Sequence, residues 1–290
     1  MGKSCRFERN SPWRDVWNRL KKNRPAVAGL FVVVLFAGMA LFADVIADYE
    51  SQAIAQNMAQ RLQGPSLEHI FGTDAYGRDL FARVVHGSRV SLSIGFLSTG
   101  ISLVIGGFLG AAAGYYGGKT DDIIMRLMDT VMCIPPMLLA LAIVSSLGHG
   151  MRNMILAVTA AQIPGFARVI RSAILSVVEQ EYIAAAKTYG AGDLRIILRY
   201  VLPNALGPII VQATMEVSGM IIVAAGLSFV GMGVAPPQPE WGSMISEARD
   251  YMMNAPHLIF FPGVALVLVA LSVNLLGDGL RDALDPRLKD

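Results

Sequence analysis

Residues 113–120 read AGYYGGKT and differ by one residue from a phosphate-binding loop. Such a loop has the form G-x-x-x-x-G-K-[ST], and Ala113 stands in place of its first glycine, whereas residues 118–120 match. A working loop follows a buried strand and opens a helix, but here an apolar, glycine-spaced stretch comes first. Asp121 and Asp122 follow at once, and two carboxylates at a helix start would repel phosphate. We therefore interpret this stretch as a cytoplasmic turn, with Asp121 as the cap of the next helix. A membrane nucleotide hydrolase is the rival hypothesis.

The other chemistry-bearing residues give weaker signals. Four histidines are scattered without the spacing of metal ligands, so a nickel site in this chain is not expected: His69, His86, His149 and His257. Cys5 lies in a basic tail and Cys133 in an apolar run, so we expect no disulfide between them. Glu216 is the main ionisable residue inside an apolar stretch, which keeps a stand-alone, ion-coupled carrier as a second rival.

The composition is that of a membrane protein. Of 290 residues, 54% are hydrophobic and only 16% are charged, and a net charge of +2 gives no argument for nucleic-acid binding. Six apolar stretches approach the length that crosses a bilayer as a helix, at residues 26–43, 90–116, 127–147, 151–170, 205–230 and 258–277. The first could be a signal peptide, but its apolar run is too long for one and further spans follow. The sequence predicts an all-α membrane protein with six transmembrane helices.

The positions of lysine and arginine orient these spans. With the N-terminus inside, the inner segments carry 18 of the 24 basic residues and the outer segments carry 6, so we expect both termini to be cytoplasmic. The predicted division is a basic N-terminal segment (1–25), a first transmembrane helix (26–47), an extracytoplasmic segment (48–89), a five-helix core (90–280) with a cytoplasmic loop at 176–203, and a cytoplasmic tail (281–290).

Small residues and prolines punctuate the spans. Gly106, Gly110 and Gly114 recur every four residues, which predicts a helix face that another helix can approach closely. Pro135-Pro136 and Pro164-Gly165 interrupt the third and fourth spans. Such breaks are either simple kinks or pointers to a translocation path.

The longest inner loop, Glu179 to Asn204, reads EQEYIAAAKTYGAGDLRIILRYVLPN. It predicts a short helix from Glu181 to Tyr189 that Gly190 stops, then a second helix that Asp193 caps and that ends before Pro203. The methyl side chains of residues 184–186 would let the first helix enter a groove on another protein. The alternative is a helical linker resting on the lipid headgroups.

This loop resembles the "EAA" loop of ATP-binding-cassette importer permeases, which runs Glu-Ala-Ala, three residues, Gly, nine residues, Ile, one residue, Leu-Pro. The matching positions are Ala185, Ala186, Gly190, Leu202 and Pro203. Ala184 stands at the glutamate position and Tyr200 at the isoleucine position. The resemblance implies that the loop docks on an ATPase subunit through the set Glu181, Ala184, Ala185, Ala186, Gly190, Asp193, Leu202 and Pro203.

The resemblance narrows to the second ("C-type") permease of the dipeptide/oligopeptide/nickel type, through the stretches at 71–92, 115–142, 226–244 and 275–288. It implies the type I importer permease fold and a place in the inner membrane of a prokaryote. It also implies a second homologous permease, two ATPase subunits and an extracytoplasmic binding protein as partners. ATP and Mg would be bound by the ATPases, with no catalytic residue, metal or cofactor in this chain. Peptides are the first expected substrate; nickel chelates, glutathione, opines and oligosaccharides are alternatives.

Two extracytoplasmic stretches are candidate contacts for that binding protein. One contains Asp74, Arg78 and Asp79 in a mixed-charge run, which could equally be a solvated cap over the pathway. The other is a proline-rich loop that ends in Trp241, for which an anchor at the membrane interface is the alternative.

Overall fold

The computed structural model describes residues 12–284, and within that range the chain is helical and contains no strand. The helices are α1 Pro12–Leu20, α2 Arg24–Leu41, α3 Ala43–Ile46, α4 Leu80–Tyr116, α5 Gly118–Met132, α6 Pro136–Leu147, α7 Met151–Val178, α8 Glu181–Thr188, α9 Asp193–Ile196, α10 Leu202–Phe229, α11 Trp241–Ala248 and α12 His257–Leu284. Four short turns of other helix types lie at Tyr49–Ile54, Met58–Gln60, Ile197–Val201 and Arg249–Tyr251.

Five helical runs are long and apolar enough to cross a membrane: α2, α4, α7, the run Asp193–Phe229 that contains α10, and α12. The third apolar stretch is a bent pair, because α5 and α6 meet at 82°. Pro136 is the first residue of α6, where a proline fits a helix, and the break falls at the predicted Pro135-Pro136 pair. The all-α class with up to six spans is therefore confirmed.

Helices α4 and α7 pack against each other at very short distance. A Cβ atom on Gly106 would lie 2.7 Å from the carbonyl oxygen of Ile163, and one on Gly114 would lie 2.9 Å from that of Arg171. On Gly110 it would collide with the carbonyl of Ala167. The structure thus places the glycine-spaced face directly on the backbone of α7, where any side chain would push the helices apart.

This close packing explains one wrong expectation, that Pro164-Gly165 would interrupt the fourth span. Pro164 is buried inside an unbroken α7. A proline removes one helical hydrogen bond and adds bulk. Here Ile163 and Phe166, on either side of the proline, pack closely against Gly106 of α4. This packing stabilises a continuous helix across the proline.

The two ends of the described chain lie together. Asn23, the cap of α2, donates to the carboxylate of Asp282 at 3.3 Å, and Gly279 of α12 faces Ala26. At the opposite end, Arg89 near the start of α4 donates to the carbonyl of Ala40 at 2.9 Å. The chain therefore alternates direction over α2, α4, α5–α6, α7, α10 and α12, apart from the short connecting helices. We call the end that holds residues 178–203 the α8–α9 end and the other the α11 end.

Candidate functional site

The α8 helix at the α8–α9 end stops where the sequence predicts. Gly190 has φ +78°, a left-handed conformation that glycine adopts without strain. The N–H of Gly190 bonds to the carbonyl of Lys187 at 3.0 Å, and that of Ala191 to the carbonyl of Ala186 at 3.1 Å. These two bonds form a Schellman cap, which ends α8 sharply and turns the chain toward α9.

The second half of the loop departs from the prediction in two ways. Asp193 does not cap α9, because Gly192 occupies the capping position and makes no side-chain capping bond; the Asp193 carboxylate instead accepts a bond from the hydroxyl of Tyr115. The helix also does not end before Pro203. The turn at Ile197–Val201 widens to a π-helix and α10 follows directly from Leu202, so Pro203 lies within one helical run from Asp193 to Phe229.

Three buried isoleucine and valine side chains fix this segment to the bundle. Ile183 of α8 is 1% exposed, and Ile196 and Val201 are fully buried. All three belong to the hydrophobic cluster formed by α4, α6, α7 and α10. These side chains attach the segment to the bundle at three points.

The same segment exposes a group of apolar and small residues among charged ones such as Lys187 and Arg195. Tyr189 is 91% exposed and Leu194 is 70% exposed, and the small residues 184 and 185 are exposed beside them. Tyr182 and Leu198 extend this surface, with Glu181 exposed at the start of α8. Apolar side chains displayed on an anchored helical segment are typical of a protein–protein contact. We call the exposed residues Glu181, Tyr182, Ala184, Ala185, Tyr189, Leu194 and Leu198 the coupling surface.

Residues 113–120 do not form a phosphate loop. They are the last turn of α4, a link at Gly117 and the first turn of α5, as the interpretation as a turn predicts. Asp121 does not cap α5, because it is already the fourth residue of that helix. Its carboxylate instead accepts two bonds from the guanidinium of Arg171 in α7, both at 2.5 Å.

A network of four charges, three of them buried and Glu247 part-buried, occupies the α11 end. Arg78 is 2% exposed, and it donates to Asp74 at 2.5 Å and to Glu247 of α11 at 2.8 Å. Arg83 of α4 is 1% exposed and lies 3.4 Å from Asp74 and 3.3 Å from Glu247. It also donates to the carbonyl of Ala53. We call Asp74, Arg78, Arg83 and Glu247 the four-charge network; it ties the segment before α4, α4 itself and α11 together.

Burial takes two of the four predicted binding-protein contacts, Arg78 and Trp241, off the surface; a contact at Asp79, which is part-buried, stays a prediction. Trp241 is fully buried, its indole N–H donates to the carbonyl of Val84 at 3.0 Å, and Phe36 packs edge-on against it. Asp79 is the cap of α4 and also bonds to the His69 ring at 2.8 Å. Trp241 is therefore no interfacial anchor, and the mixed-charge run is no solvated cap.

Two acidic residues at this end carry no prediction from the sequence: Glu247 of the network, and Glu240 beside it. Glu240 is 1% exposed, caps α11 and accepts a bond from Ser91 at 3.1 Å. A local signal existed only for Glu240, since an acidic residue directly before a helix is a common cap. Glu247 lies more than 160 residues from its two arginines, and nothing local marks that pairing.

Glu216, the acid inside the fifth span, contacts its own helix. It accepts a bond from Gln212 of α10 at 2.6 Å, and among residues 12–284 no basic side chain is within ion-pair distance of it. Within the same part of the chain, no cluster of three histidine, cysteine or acidic residues could hold a metal ion.

Comparison with known proteins identifies the family. Residues 106–290 match the family described as "Binding-protein-dependent transport system inner membrane component". The chain belongs to this family. Residues 11–65 match the "N-terminal TM domain of oligopeptide transport permease C". The resemblance to importer permeases of the dipeptide/oligopeptide type is confirmed, and so is a place in the inner membrane.

Relatives match almost end to end. The dipeptide transport system permease protein DppC of Alkalihalophilus pseudofirmus is 46% identical, over 96% of this chain and 91% of that protein. The glutathione transport system permease protein GsiD of Pectobacterium atrosepticum is 45% identical, over 96% and 92%. The di/tripeptide permease DppC of Pseudomonas aeruginosa is 42% identical, over 97% and 94%.

The fold is also that of a solved transporter chain. An inward-facing structure of the MetNI methionine ABC transporter matches with a TM-score of 0.59 and 21% identity, covering 70% of this chain and 96% of that chain. The predicted type I importer permease fold is therefore confirmed. A stand-alone, ion-coupled carrier is not the activity of this family, so that rival hypothesis is set aside.

Proposed function

We propose that this chain is one of two homologous permeases in an ATP-binding-cassette importer for peptides. In this proposal the two permeases form the translocation pathway, two ATPase subunits bind at the α8–α9 end, and a binding protein delivers substrate at the α11 end. The α8–α9 end is then cytoplasmic, in line with the excess of lysine and arginine in the segments at that end. ATP and Mg belong to the ATPase subunits, and this chain contributes no catalytic residue.

The observation that carries the proposal is the coupling surface. Its exposed face is apolar and small-residue-rich at residues 184 and 185, while Ile183 and Ile196 behind it are buried in the bundle. Because this surface is attached to the bundle on one side and exposed on the other, a force that a partner applies to it would be transmitted to the transmembrane helices. Closure of the ATPase dimer on ATP binding would supply that force, and the attached helices would rock between two states.

Peptides are the substrate class that the relatives favour. Three of them are named for dipeptide, di/tripeptide or glutathione transport, and glutathione is itself a tripeptide. The choice among these belongs to the binding protein in our proposal. Uptake assays with its cognate binding protein, comparing dipeptides with glutathione, separate the two candidates.

The docking proposal is tested by Ala185→Trp in the assembled importer. An indole on the coupling surface blocks a groove that receives only a methyl group, so peptide uptake is expected to fall by at least roughly tenfold at unchanged expression. Gly190→Pro is expected to act in the same direction, because a proline cannot adopt φ +78°. Ala185→Ser is the matched control and should transport normally. Full uptake by Ala185→Trp would remove the docking assignment.

Assembly is tested separately by gentle purification from the native membrane and mass spectrometry of the bound chains. A second permease and two ATPase chains are expected. Recovery of this chain alone, with uptake driven by an ion gradient, would contradict the proposal.

A further inference from the structure

Tyr115 at the end of α4 contacts both α8 and α9, the two short helices of residues 181–196, which we call the coupling segment. Its hydroxyl donates to Oδ1 of Asp193 in α9 at 2.7 Å, and the ammonium group of Lys187 in α8 lies 5.0 Å from the centre of its ring. The side chain is 7% exposed. One buried residue thus holds a charge-assisted hydrogen bond to one helix and a cation–π contact to the other.

The position of Tyr115 on α4 makes these contacts mechanically important. It directly follows Gly114, which is pressed against Arg171 and Ile174 of α7 without an intervening side chain. The α4 helix is 37 residues long, which corresponds to about 55 Å. Its other end carries Arg83 of the four-charge network. A displacement of α4 at Tyr115 would therefore be carried along the helix to the α11 end.

The remaining attachments of the segment run through different helices. It is covalently continuous with α7 on one side and α10 on the other, and Ile183 and Ile196 pack into the core that these helices share. Those attachments reach α4 through non-polar packing, including the contact of its glycine face with the backbone of α7. The Tyr115–Asp193 bond is a directional polar link between the segment and α4, and it resists separation of the two.

We infer that Tyr115 is a positioning residue that transmits motion of the coupling segment to α4 through its hydrogen bond to Asp193. This inference rests on the proposed docking of the segment on an ATPase. When the coupling segment moves with the ATPase, the Tyr115–Asp193 hydrogen bond and the contact of Lys187 with the Tyr115 ring make α4 move too. The opposite end of α4, at the four-charge network, moves with the rest of the helix. Without the bond the ATPase still docks, but less of its motion reaches α4.

The test measures peptide uptake per ATP hydrolysed by the assembled importer in proteoliposomes. Tyr115→Phe keeps the ring beneath Lys187 and removes only the hydroxyl, and the ratio is expected to fall roughly tenfold while ATP hydrolysis continues. Asp193→Leu should lower the ratio equally, and the double variant should fall no further, because both changes break one bond. Asp193→Asn keeps an acceptor oxygen and should largely restore the ratio.

Tyr116→Phe is the matched control. Tyr116 is the next residue, its ring packs edge-on against Tyr115 and it is 59% exposed, so loss of its hydroxyl should leave the ratio unchanged. A merely structural role for Tyr115 would lower uptake and hydrolysis together at a constant ratio, and that result would overturn the inference. If Tyr115→Phe does not assemble, the difference between Asp193→Leu and Asp193→Asn decides in the same way.

Failure of this inference is distinguishable from failure of the docking proposal. Normal ratios in Tyr115→Phe and Asp193→Leu, with Ala185→Trp uncoupled, would overturn the role of Tyr115 alone. Full peptide uptake by Ala185→Trp would overturn the docking proposal and this inference with it.

Discussion

The two ends of the bundle use side chains in opposite ways. At the α11 end the charged residues Arg78 and Arg83 are almost fully buried and paired with carboxylates. At the α8–α9 end the apolar residues Tyr189 and Leu194 are exposed. Polarity alone therefore misleads at both ends: the charges hold the fold together, and the apolar groups are the ones available to a partner.

This difference predicts which substitutions should reduce stability and which should reduce transport. Loss of a charged side chain at the α11 end should lower the free energy of unfolding, because it leaves buried charges without a partner of opposite sign. Loss of a side chain on the coupling surface should spare stability and reduce coupling. The three predictions below test that division, in order of decreasing effect on stability.

Arg83→Ala should have the largest effect on stability. It leaves the carboxylates of Asp74 and Glu247 with Arg78 as their one remaining cationic partner among residues 12–284, and breaking a buried charge pair costs up to about 3–5 kcal/mol. The measurement is unfolding of the purified protein in detergent. Arg249→Ala is the control: its pairing with Asp250 is exposed, so the change should stay within about 0.5 kcal/mol. Equal effects of the two variants would show that the four-charge network does not hold the α11 end.

Gly110→Val should have an intermediate effect, on the packing that connects the two ends. Its side chain would collide with the carbonyl of Ala167 on α7, and overpacking of this kind costs about 1–3 kcal/mol. Gly100→Val lies on the same helix, with no atom within 4 Å of its added Cβ, and it serves as the control. The same unfolding measurement applies. A Gly110 variant as stable as the Gly100 variant would argue against close α4–α7 packing.

Leu194→Ser should have the smallest effect on stability, within about 0.5 kcal/mol, because the side chain is 70% exposed. Peptide uptake by the assembled importer should nevertheless fall. Ile196→Ser, two residues on and fully buried, is the contrasting variant and should destabilise the protein clearly. If Leu194→Ser melts as early as Ile196→Ser, its side chain belongs to the fold and not to a docking surface.

Local patterns in the sequence were enough for the helices and for two of their ends. The apolar stretches predict the spans because each must satisfy its own backbone in lipid. Gly190 ends α8 and the pair at 135–136 breaks the third span, since both effects depend on backbone geometry within a single turn. Patterns at four-residue spacing likewise mark the glycine face of α4, because helix geometry puts those residues on one side.

The same local reasoning was wrong at Pro164 and Asp193, where a residue with a strong local preference meets a tertiary contact, and at Pro203, where the preceding turn changes helix type. Pro164 sits in a continuous helix that packs against Gly106. Asp193 gives its carboxylate to Tyr115, which lies 78 residues earlier. Pro203 lies within the helical run that continues through the widened turn into α10.

The sequence by itself determined that this is a helical membrane protein, which family it resembles and where the loop with the EAA-like motif lies. These are properties of composition, period and motif, which are read along the chain. Only the tertiary structure decided which charges are buried, which apolar residues remain uncovered and that Tyr115 bridges α4 to both helices of the coupling segment. Those properties depend on pairs of residues tens to hundreds of positions apart, and the fold alone brings them within contact distance.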